Sequence, residues 1–211
     1  GSVIACNTVI DQAAAEAMAD LFVEVVVAPA FHAEALAVFQ AKKNLRVVEL
    51  PVPSGRGHLD WKRIRGGFLL QDAFAFDPSE EAWTVATERQ PTAAELDDLR
   101  FGWAAVSTVK SNAILLARAE QAIGIGAGQM SRVDASFLAV HKARQAGHET
   151  SGAVLASDGF FPFADGVEAA AEAGVTAIIQ PGGSVRDAEV TAAADRLGMA
   201  MVMTGKRMFR H

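Results

Sequence analysis

The residues best suited to binding a charged ligand lie in glycine-containing loops that follow apolar stretches and precede helical patterns. The first loop, 124–132, has three glycines at alternate positions and ends in Arg132. Ser131 is predicted to cap the following helix, with Asp134 three residues later in a variant of the capping box. Unpaired backbone N–H groups at a helix start suit an anion or the polar edge of a ligand. The loop matches neither G-x-G-x-x-G nor a Walker sequence, so by itself it indicates only a tight turn.

Two further loops, 157–165 and 180–187, repeat this arrangement of apolar strand, turn and helix start. Open α/β sheets bind ligands where the carboxyl ends of their strands meet helix N-termini. If the preceding strands are parallel neighbours, the three loops share one edge of the sheet. Together they predict a ligand site that no single loop defines.

Several residues near these loops each have a structural and a functional interpretation. Asn112 precedes a strand, where it closes a turn or presents its amide to a heterocycle or carboxamide. Phe160, Phe161 and Phe163 are either core residues or the wall of a site for a flat ligand. Arg207 belongs to a solvated basic tail or clamps a phosphate. The residues alone therefore predict an α/β domain that binds an anionic, partly aromatic small molecule.

Composition excludes several other classes of protein. The five histidines lie far apart, Cys6 is the only cysteine, and no zinc-binding or nucleophile-elbow motif occurs. A net charge of −6 argues against a nonspecific nucleic-acid binder. No apolar run approaches the roughly 18 residues of a membrane helix, and the first residues do not resemble a signal peptide. We expect a cytoplasmic protein without zinc, nucleic acid or membrane partners.

The first third of the chain alternates strand-like and helical patterns, which is typical of a parallel α/β sheet. Glu24 interrupts the valine-rich strand 23–28, and a carboxylate is costly to bury there without a partner. The simpler interpretation places Glu24 at the strand's first, solvated residue. Residues 51–60 are a predicted linker, and 64–76 and 82–87 are predicted strands of a hairpin or connector.

The remainder of the chain has a regular rhythm of strands and capped helices. Residues 92–95 form a capping box that opens a long helix, and strands 113–117 and 121–125 are predicted to pair as a hairpin. Ser184 is predicted to cap the last helix. The helix that begins at Arg132 has its large apolar residues on one face: Val133, Phe137 and Val140.

The motifs resemble those of one family, and they occur in that family's order along nearly the whole chain. The family is the bifunctional purine biosynthesis protein, AICAR transformylase/IMP cyclohydrolase. A sixth match, Val26 to Pro29, extends the resemblance toward the N-terminus. The five main segments that carry it are Lys110 to Ile114, Ile123 to Arg132, Ser157 to Phe163, Gln180 to Ser184 and Arg207 to His211.

The resemblance implies a cytidine-deaminase-like, three-layer α/β/α fold without zinc, with one complete subdomain and part of another. Residues 1–60 would be the C-terminal part of the first transformylase subdomain, 61–90 connector strands and 91–211 the second subdomain. The implied reaction moves a formyl group from 10-formyltetrahydrofolate to the 5-amino group of AICAR during IMP synthesis. The family further implies a homodimer with its sites at the interface, and a potassium ion is compatible with it.

The resemblance also assigns binding residues by motif. It reverses the simpler interpretation of Glu24, whose carboxylate would face the ribose of a nucleotide, and Arg132→Ala is expected to weaken AICAR binding without unfolding the domain. The implied AICAR contacts are Glu24, Asn112, Arg132, Phe160 and Arg207. The implied folate contacts are Val133, Asp165, Ser184 and Val185.

The printed residues depart from the family in ways that bear on activity. The cyclohydrolase domain and the segment with the family's Lys-His catalytic pair are not among them, so no catalytic residue is assigned and we expect no useful formyl transfer by these residues alone. A noncatalytic nucleotide- or folate-binding domain, or a dimerisation domain, is the alternative. Gly159 replaces a usual Ala and Ala164 a common Arg, and both changes are expected to be minor.

Overall fold

The computed structural model describes residues 1–52, 59–72 and 82–210, and the chain divides into two compact units, 1–75 and 76–211. Both units are mixed α/β, as the sequence predicts. No helix in the described residues is long and apolar enough to cross a bilayer. The elements of unit 1 are β1 (Ser2–Ala5), α1 (Gln12–Ala19), β2 (Val23–Ala28), α2 (Ala33–Gln40), β3 (Arg46–Glu49), β4 (Leu59–Ile64) and β5 (Gly67–Asp72).

Unit 1 contains a parallel three-stranded sheet in the order β1–β2–β3, and α1 and α2 pack against each other. The predicted strand 23–28 has the observed bounds of β2. Val26 and Ala28 are fully buried in its core, whereas Glu24 is exposed at the second position of the strand. The carboxylate therefore avoids the desolvation that would make it costly in this strand.

The predicted strand 64–76 is wrong within the described residues 64–72, and its remainder, 73–76, lies outside them. A turn at 65–66 separates β4 from β5, and the two strands form an antiparallel hairpin. Gly66 has a φ of +87°, a conformation that glycine adopts more readily than residues with a side chain. The greater part of the predicted linker, 53–58, lies outside the described residues.

Unit 2 is built around a six-stranded sheet. Its elements are β6 (Thr84–Val85), α3 (Ala93–Val106), β7 (Ile114–Arg118), β8 (Gln121–Gly126), α4 (Arg132–Gln145), β9 (Val154–Ser157), α5 (Asp165–Glu172), β10 (Ala177–Gln180), α6 (Asp187–Arg196) and β11 (Ala200–Met203). The strand order is β6–β11–β10–β9–β7–β8. The predicted hairpin is confirmed as β7–β8.

The strand directions gather the loops of unit 2 at one side. β9, β10 and β11 are parallel, and β7 is antiparallel to both β9 and β8, so β8 runs in the same direction as β9. We call the side where β8 to β11 end the carboxyl edge. It carries the loops 127–131, 158–164 and 181–186, the tail 204–210, and the turn 110–113 that leads into β7.

Both faces of this sheet are covered by helices. Leu99, Trp103 and Val106 of α3 pack against one face. Residues of α4, α5 and α6 pack against the other, where Leu116 of β7 also points, while Leu115 points to the α3 side. This alternation is the two-residue period of a strand buried on both faces.

The buried face of α4 differs from the apolar face that the sequence indicated. Val133 and Phe137 are 43% and 71% exposed, whereas the small residues of the helix are fully buried. The cause lies in β8, because a Cβ on Gly126 would lie 1.9 Å from the carbonyl oxygen of Ala135. Gly124 meets the next turn of the helix in the same way, 2.2 Å from the oxygen of Ala139. Backbones this close admit only small side chains between them.

We expect Gly126→Ala to lower the free energy of unfolding by about 2–3 kcal/mol, because the added methyl group must push α4 off the sheet. Urea unfolding followed by tryptophan fluorescence measures this, since Trp103 is buried in unit 2. Ile125→Ala, at the 40% exposed position beside it, is the control and should lose less than about 1 kcal/mol. Equal losses in the two variants would contradict the close-packing argument.

The predicted capping box at the start of α3 is confirmed. Thr92 accepts a hydrogen bond from the backbone N–H of Glu95, and Glu95 accepts one from Thr92 N at 2.8 Å. Arg89 donates to the same carboxylate at 2.5 Å. Burial by itself would raise the pKa of Glu95, but hydrogen bonds from Arg89, Thr176 and Thr92 outweigh it and lower this pKa to about 2.

This pKa predicts a loss of stability in acid. Because the folded pKa lies below the ordinary value of 4.5, the unfolded chain takes up the proton first. The contribution of Glu95 is therefore complete above about pH 4.5 and disappears as the pH falls toward 2. Between these values the wild-type free energy of unfolding should fall more steeply than that of Glu95→Gln. Parallel curves in urea titrations at each pH would contradict the assignment.

Candidate functional site

Arg132 begins α4, and its side chain turns inward beneath the carboxyl edge. Ser131 is the N-cap, as predicted, and its hydroxyl accepts from Asp134 N at 3.0 Å. The Arg132 side chain is only 8% exposed. Its Nη1 donates to Asp158 Oδ1 at 2.5 Å and to Ser157 Oγ at 2.9 Å, and its Nη2 donates to Asn112 Oδ1 at 3.1 Å. Arg132 thus joins three segments of the edge.

Asp158 is the acceptor at the centre of this arrangement, and it is completely buried. Its carboxylate accepts from Arg132, from Ala113 N at 3.1 Å and from the Ser111 hydroxyl. Its backbone carbonyl accepts from Met208 N at 2.9 Å. A buried carboxylate is tolerated when its oxygens are paired in this manner.

Asn112 closes the turn before β7 and also holds the loop that precedes α4. Its Nδ2 donates to the carbonyl oxygens of Gln129 and Met130 at 2.9 and 3.2 Å. Both amide hydrogens are therefore used, and Oδ1 keeps one lone pair beyond the bond from Arg132. The two interpretations of Asn112 are compatible, because the turn-closing bonds orient an oxygen that can still accept.

The three phenylalanines of the loop after β9 have different environments. Phe161 is fully buried, and its backbone N–H donates to Gln180 Oε1 at 2.9 Å, so it is a core residue. Phe160 is half-buried beneath Arg207, whose guanidinium carbon lies 5.0 Å from the ring centroid. Phe163 is 48% exposed and contacts Arg186 at 4.7 Å. Phe160 and Phe163 therefore present aromatic surface at the edge.

Arg207 is exposed and lies between two aromatic rings. Its guanidinium carbon is 6.0 Å from the ring centroid of Phe209. Gly159 makes room for this arrangement, because a Cβ there would lie 2.4 Å from Arg132 Nη2 and 2.7 Å from Phe209 Cε1. Both atoms belong to the ends of flexible side chains and not to the backbone. An alanine in place of Gly159 would therefore displace the Arg132 side chain and leave the fold unchanged.

The four residues that the resemblance assigns to folate lie at the starts of three successive helices. Val133 is the second residue of α4, and Asp165 is the first residue of α5. Ser184 and Val185 precede α6, and the Val185 side chain is fully exposed. A cleft of about 360 Å³ between α4 and α5 begins at Val133 and is lined by further apolar residues, including Phe137, Val140, Leu155 and Ala170.

The prediction that Ser184 caps the last helix is wrong. The helix begins at Asp187, and Ser184 Oγ instead accepts from Arg186 N at 3.1 Å. Asp187 reaches back and accepts from the N–H groups of Gly183 and Ser184 at 2.7 and 3.2 Å. The carboxylate satisfies the loop donors directly, so the loop continues for two residues beyond the predicted cap.

Glu24 lies in unit 1 and is described only there. Its carboxylate borders the N-terminal residue, since a Cβ on Gly1 would lie 2.1 Å from Glu24 Oε2. The other residues assigned to AICAR all belong to unit 2.

Sequence reasoning missed Asp158, Ser157 and Ser111 as parts of the site. One signal was available, because Ser157 and Asp158 are polar residues directly after the apolar stretch 153–156. Polar residues at a strand's carboxyl end are candidates for a ligand site in an α/β sheet. Within the described residues, no group of three or more His, Cys, Asp or Glu side chains could hold a metal ion.

Comparisons with known proteins agree with the motifs. The profile of the family described as AICARFT/IMPCHase bienzyme matches residues 1–142. Two relatives, each called bifunctional purine biosynthesis protein PurH, come from Magnetococcus marinus and Chloroflexus aurantiacus and are 51% and 53% identical to this chain. Each match covers 100% of this chain and 42% or 41% of the relative, so the chain spans about two fifths of their length.

One solved structure, a diaminohydroxyphosphoribosylaminopyrimidine deaminase/5-amino-6-(5-phosphoribosylamino)uracil reductase from Thermotoga maritima, has a TM-score of 0.35 and 15% identity. It covers 51% of this chain and 33% of that one, which is too weak a likeness to support a conclusion. The observed class is a mixed α/β protein with polar and aromatic residues gathered at one sheet edge. The chain belongs to the AICARFT/IMPCHase bienzyme family.

The buried ion pair changes what is expected of Arg132→Ala. Removing the guanidinium leaves Asp158 buried without its cationic partner, so the free energy of unfolding should fall by about 3–5 kcal/mol. Arg196→Ala is the matched control, since its pair with Glu168 is exposed and worth about 0–1 kcal/mol. Urea unfolding compares the two variants, and similarly small losses would show that Asp158 finds other partners.

Proposed function

We propose that the carboxyl edge of unit 2 binds AICAR and a folate as part of an AICAR transformylase. One observation carries this proposal. Asn112, Arg132, Phe160 and Arg207, which the resemblance assigns to AICAR, come from four separate segments and are linked at one edge by hydrogen bonds and ring contacts.

The side chains match the chemistry of a ribonucleotide with a carboxamide. Arg207 is exposed and can offer two parallel hydrogen bonds to the phosphate. The exposed part of Phe160 supplies a flat surface for the imidazole ring. Asn112 presents the remaining lone pair of Oδ1 to an N–H donor, in an orientation set by its bonds to Arg132, Gln129 and Met130.

The folate is proposed to lie along the starts of α4, α5 and α6. Val133 and Val185 offer exposed apolar surface, and Asp165 and Ser184 offer polar groups that can select the pterin edge. In the proposed reaction the AICAR amine attacks the formyl carbon of 10-formyltetrahydrofolate. The bond from that carbon to N10 breaks, and the proton released by the amine goes to N10. No side chain of residues 1–211 is assigned to transfer this proton.

We further propose the cytidine-deaminase-like, three-layer arrangement for unit 2, supported by helices on both faces of its sheet. The same proposal includes the division into 1–60, 61–90 and 91–211, the homodimer with shared sites, and the contact of Glu24 with the ribose.

The exposed ring of Phe137 is stacked on His141 at 5.9 Å. This exposed aromatic surface supports an assembly in which another part covers it. The potassium ion stays a prediction, and no step depends on it.

We expect Arg207→Ala to weaken AICAR binding by about 10- to 100-fold, since a charged hydrogen-bond partner is worth about 1.5–3 kcal/mol. Isothermal titration calorimetry of the protein with AICAR measures this. Lys206→Ala, in the same exposed tail, is the control and should change the affinity less than about threefold. Absence of AICAR binding by the wild-type chain would overturn the proposed nucleotide site.

Formyl transfer itself separates the enzyme from the noncatalytic alternative. A proton-transferring side chain contributes about 10²- to 10⁴-fold to such reactions, so the 211-residue polypeptide should bind AICAR but turn it over very slowly. Adding a polypeptide with the family's Lys-His segment should restore transfer. Binding that is never accompanied by transfer, even with that segment, would favour the noncatalytic binding domain. Rapid transfer by the polypeptide alone would contradict the need for the segment.

A further inference from the structure

The carboxylate of Asp158 has no exposed surface, so it does not meet a ligand directly. It nevertheless touches more parts of the carboxyl edge than any of the residues that the motifs assign to AICAR. Its three side-chain bonds reach the turn before β7, through Ser111 and Ala113, and the start of α4, through Arg132. Its backbone oxygen holds Met208, the residue after Arg207.

Each of these bonds sets the position of a neighbouring recognition group. The bond to Arg132 fixes the guanidinium, whose Nη2 then holds the Asn112 amide at 3.1 Å. The bond to Met208 N fixes the tail at the point where Arg207 lies over Phe160. Asp158 is also the first residue of the loop 158–164, which carries Phe160. Arg132 is therefore bonded to Asp158 directly, and Asn112 is bonded to it through Arg132. Phe160 follows Asp158 by two residues in the chain, and Arg207 precedes the bonded Met208.

A carboxylate is suited to this task in a way that a neutral amide is not. Hydrogen bonds between ionised partners are about twice as strong as neutral ones. Arg132 is buried and charged, so a neutral residue at position 158 would leave its charge uncompensated. The guanidinium would then turn toward solvent and release Asn112.

We propose that Asp158 is a positioning residue for nucleotide recognition, whose carboxylate sets the side chains of Arg132 and Asn112. This inference rests on the proposed AICAR site. It assigns to Asp158 an effect on ligand affinity that exceeds its effect on stability and that passes through Arg132. It also implies selectivity, because within the described part of the chain no hydrogen bond joins the folate-side residues Asp165 and Val185 to this network.

The test compares Asp158→Asn with a second buried aspartate. Asp98 is 8% exposed and accepts from Ala119 N and Glu120 N at the opposite end of the β7–β8 hairpin, so Asp98→Asn is a matched control for lost stability. Thermal unfolding and calorimetry with AICAR, and separately with a 10-formyltetrahydrofolate analogue, are measured on the full chain. Asp158→Asn should weaken AICAR binding at least tenfold and folate binding less than threefold, whereas Asp98→Asn changes both by less than threefold.

Two further variants keep the inference testable if Asp158→Asn does not fold. Ser157→Ala removes the 2.9 Å bond to Arg132 Nη1 and the 2.7 Å bond from Ser157 Oγ to Gly159 O, and should weaken AICAR binding three- to fivefold in a folded protein. In an Arg132→Gln background, Asp158→Asn should cost less than twofold further affinity, because the group through which it acts is gone.

The outcomes separate the inference from the proposal on which it rests. If the wild-type chain does not bind AICAR, the proposed site fails and the inference fails with it. If the wild type binds and folded Asp158→Asn binds equally well, the inference alone is overturned. Equal loss of AICAR and folate affinity, full additivity with Arg132→Gln, or an unaffected Ser157→Ala would each reduce Asp158 to a purely structural residue.

Discussion

The buried ion pair between Arg132 and Asp158 is the constraint on which the carboxyl edge depends. Removing two charges from water costs several kcal/mol per ion, and their attraction offsets this only with good geometry and further hydrogen bonds. Here Ser157, Asn112, Ser111 and a backbone N–H supply those bonds. The pair is consequently better explained by the arrangement it imposes on four segments than by any gain in stability over an apolar pair.

A second constraint determines where Arg132 can be. The glycines of β8 let α4 approach the sheet until backbone meets backbone, which places the first turn of the helix against the ends of β8 and β9. The glycine-rich loop therefore serves helix packing, and the polar chemistry lies in the residues that this packing brings inward. Val133 and Phe137 of α4 consequently face outward, toward the cleft and solvent.

The local pattern of the chain was sufficient for much of the fold. The bounds of β2, the β7–β8 hairpin and the Thr92 and Ser131 caps follow from short-range periodicity and capping chemistry. The predicted cap at Ser184 and the predicted strand from residue 64 were wrong because in each case one residue changed the local structure. The Asp187 carboxylate accepts hydrogen bonds from the N–H groups of Gly183 and Ser184, and a turn at Gly66 divides the apolar stretch into two strands.

The sequence by itself determined the α/β class, the family and the residue types of the candidate site, because motifs and periodicity are local properties of the chain. Only the tertiary structure decided which of these residues meet. Asn112 and Arg132 are 20 residues apart, and Arg132 and Asp158 are 26 apart, and their contact depends on strand directions and on how closely α4 approaches β8. Burial and hydrogen-bond partnership are properties of that three-dimensional arrangement, which is why only the folded chain showed that Asp158 pairs with Arg132.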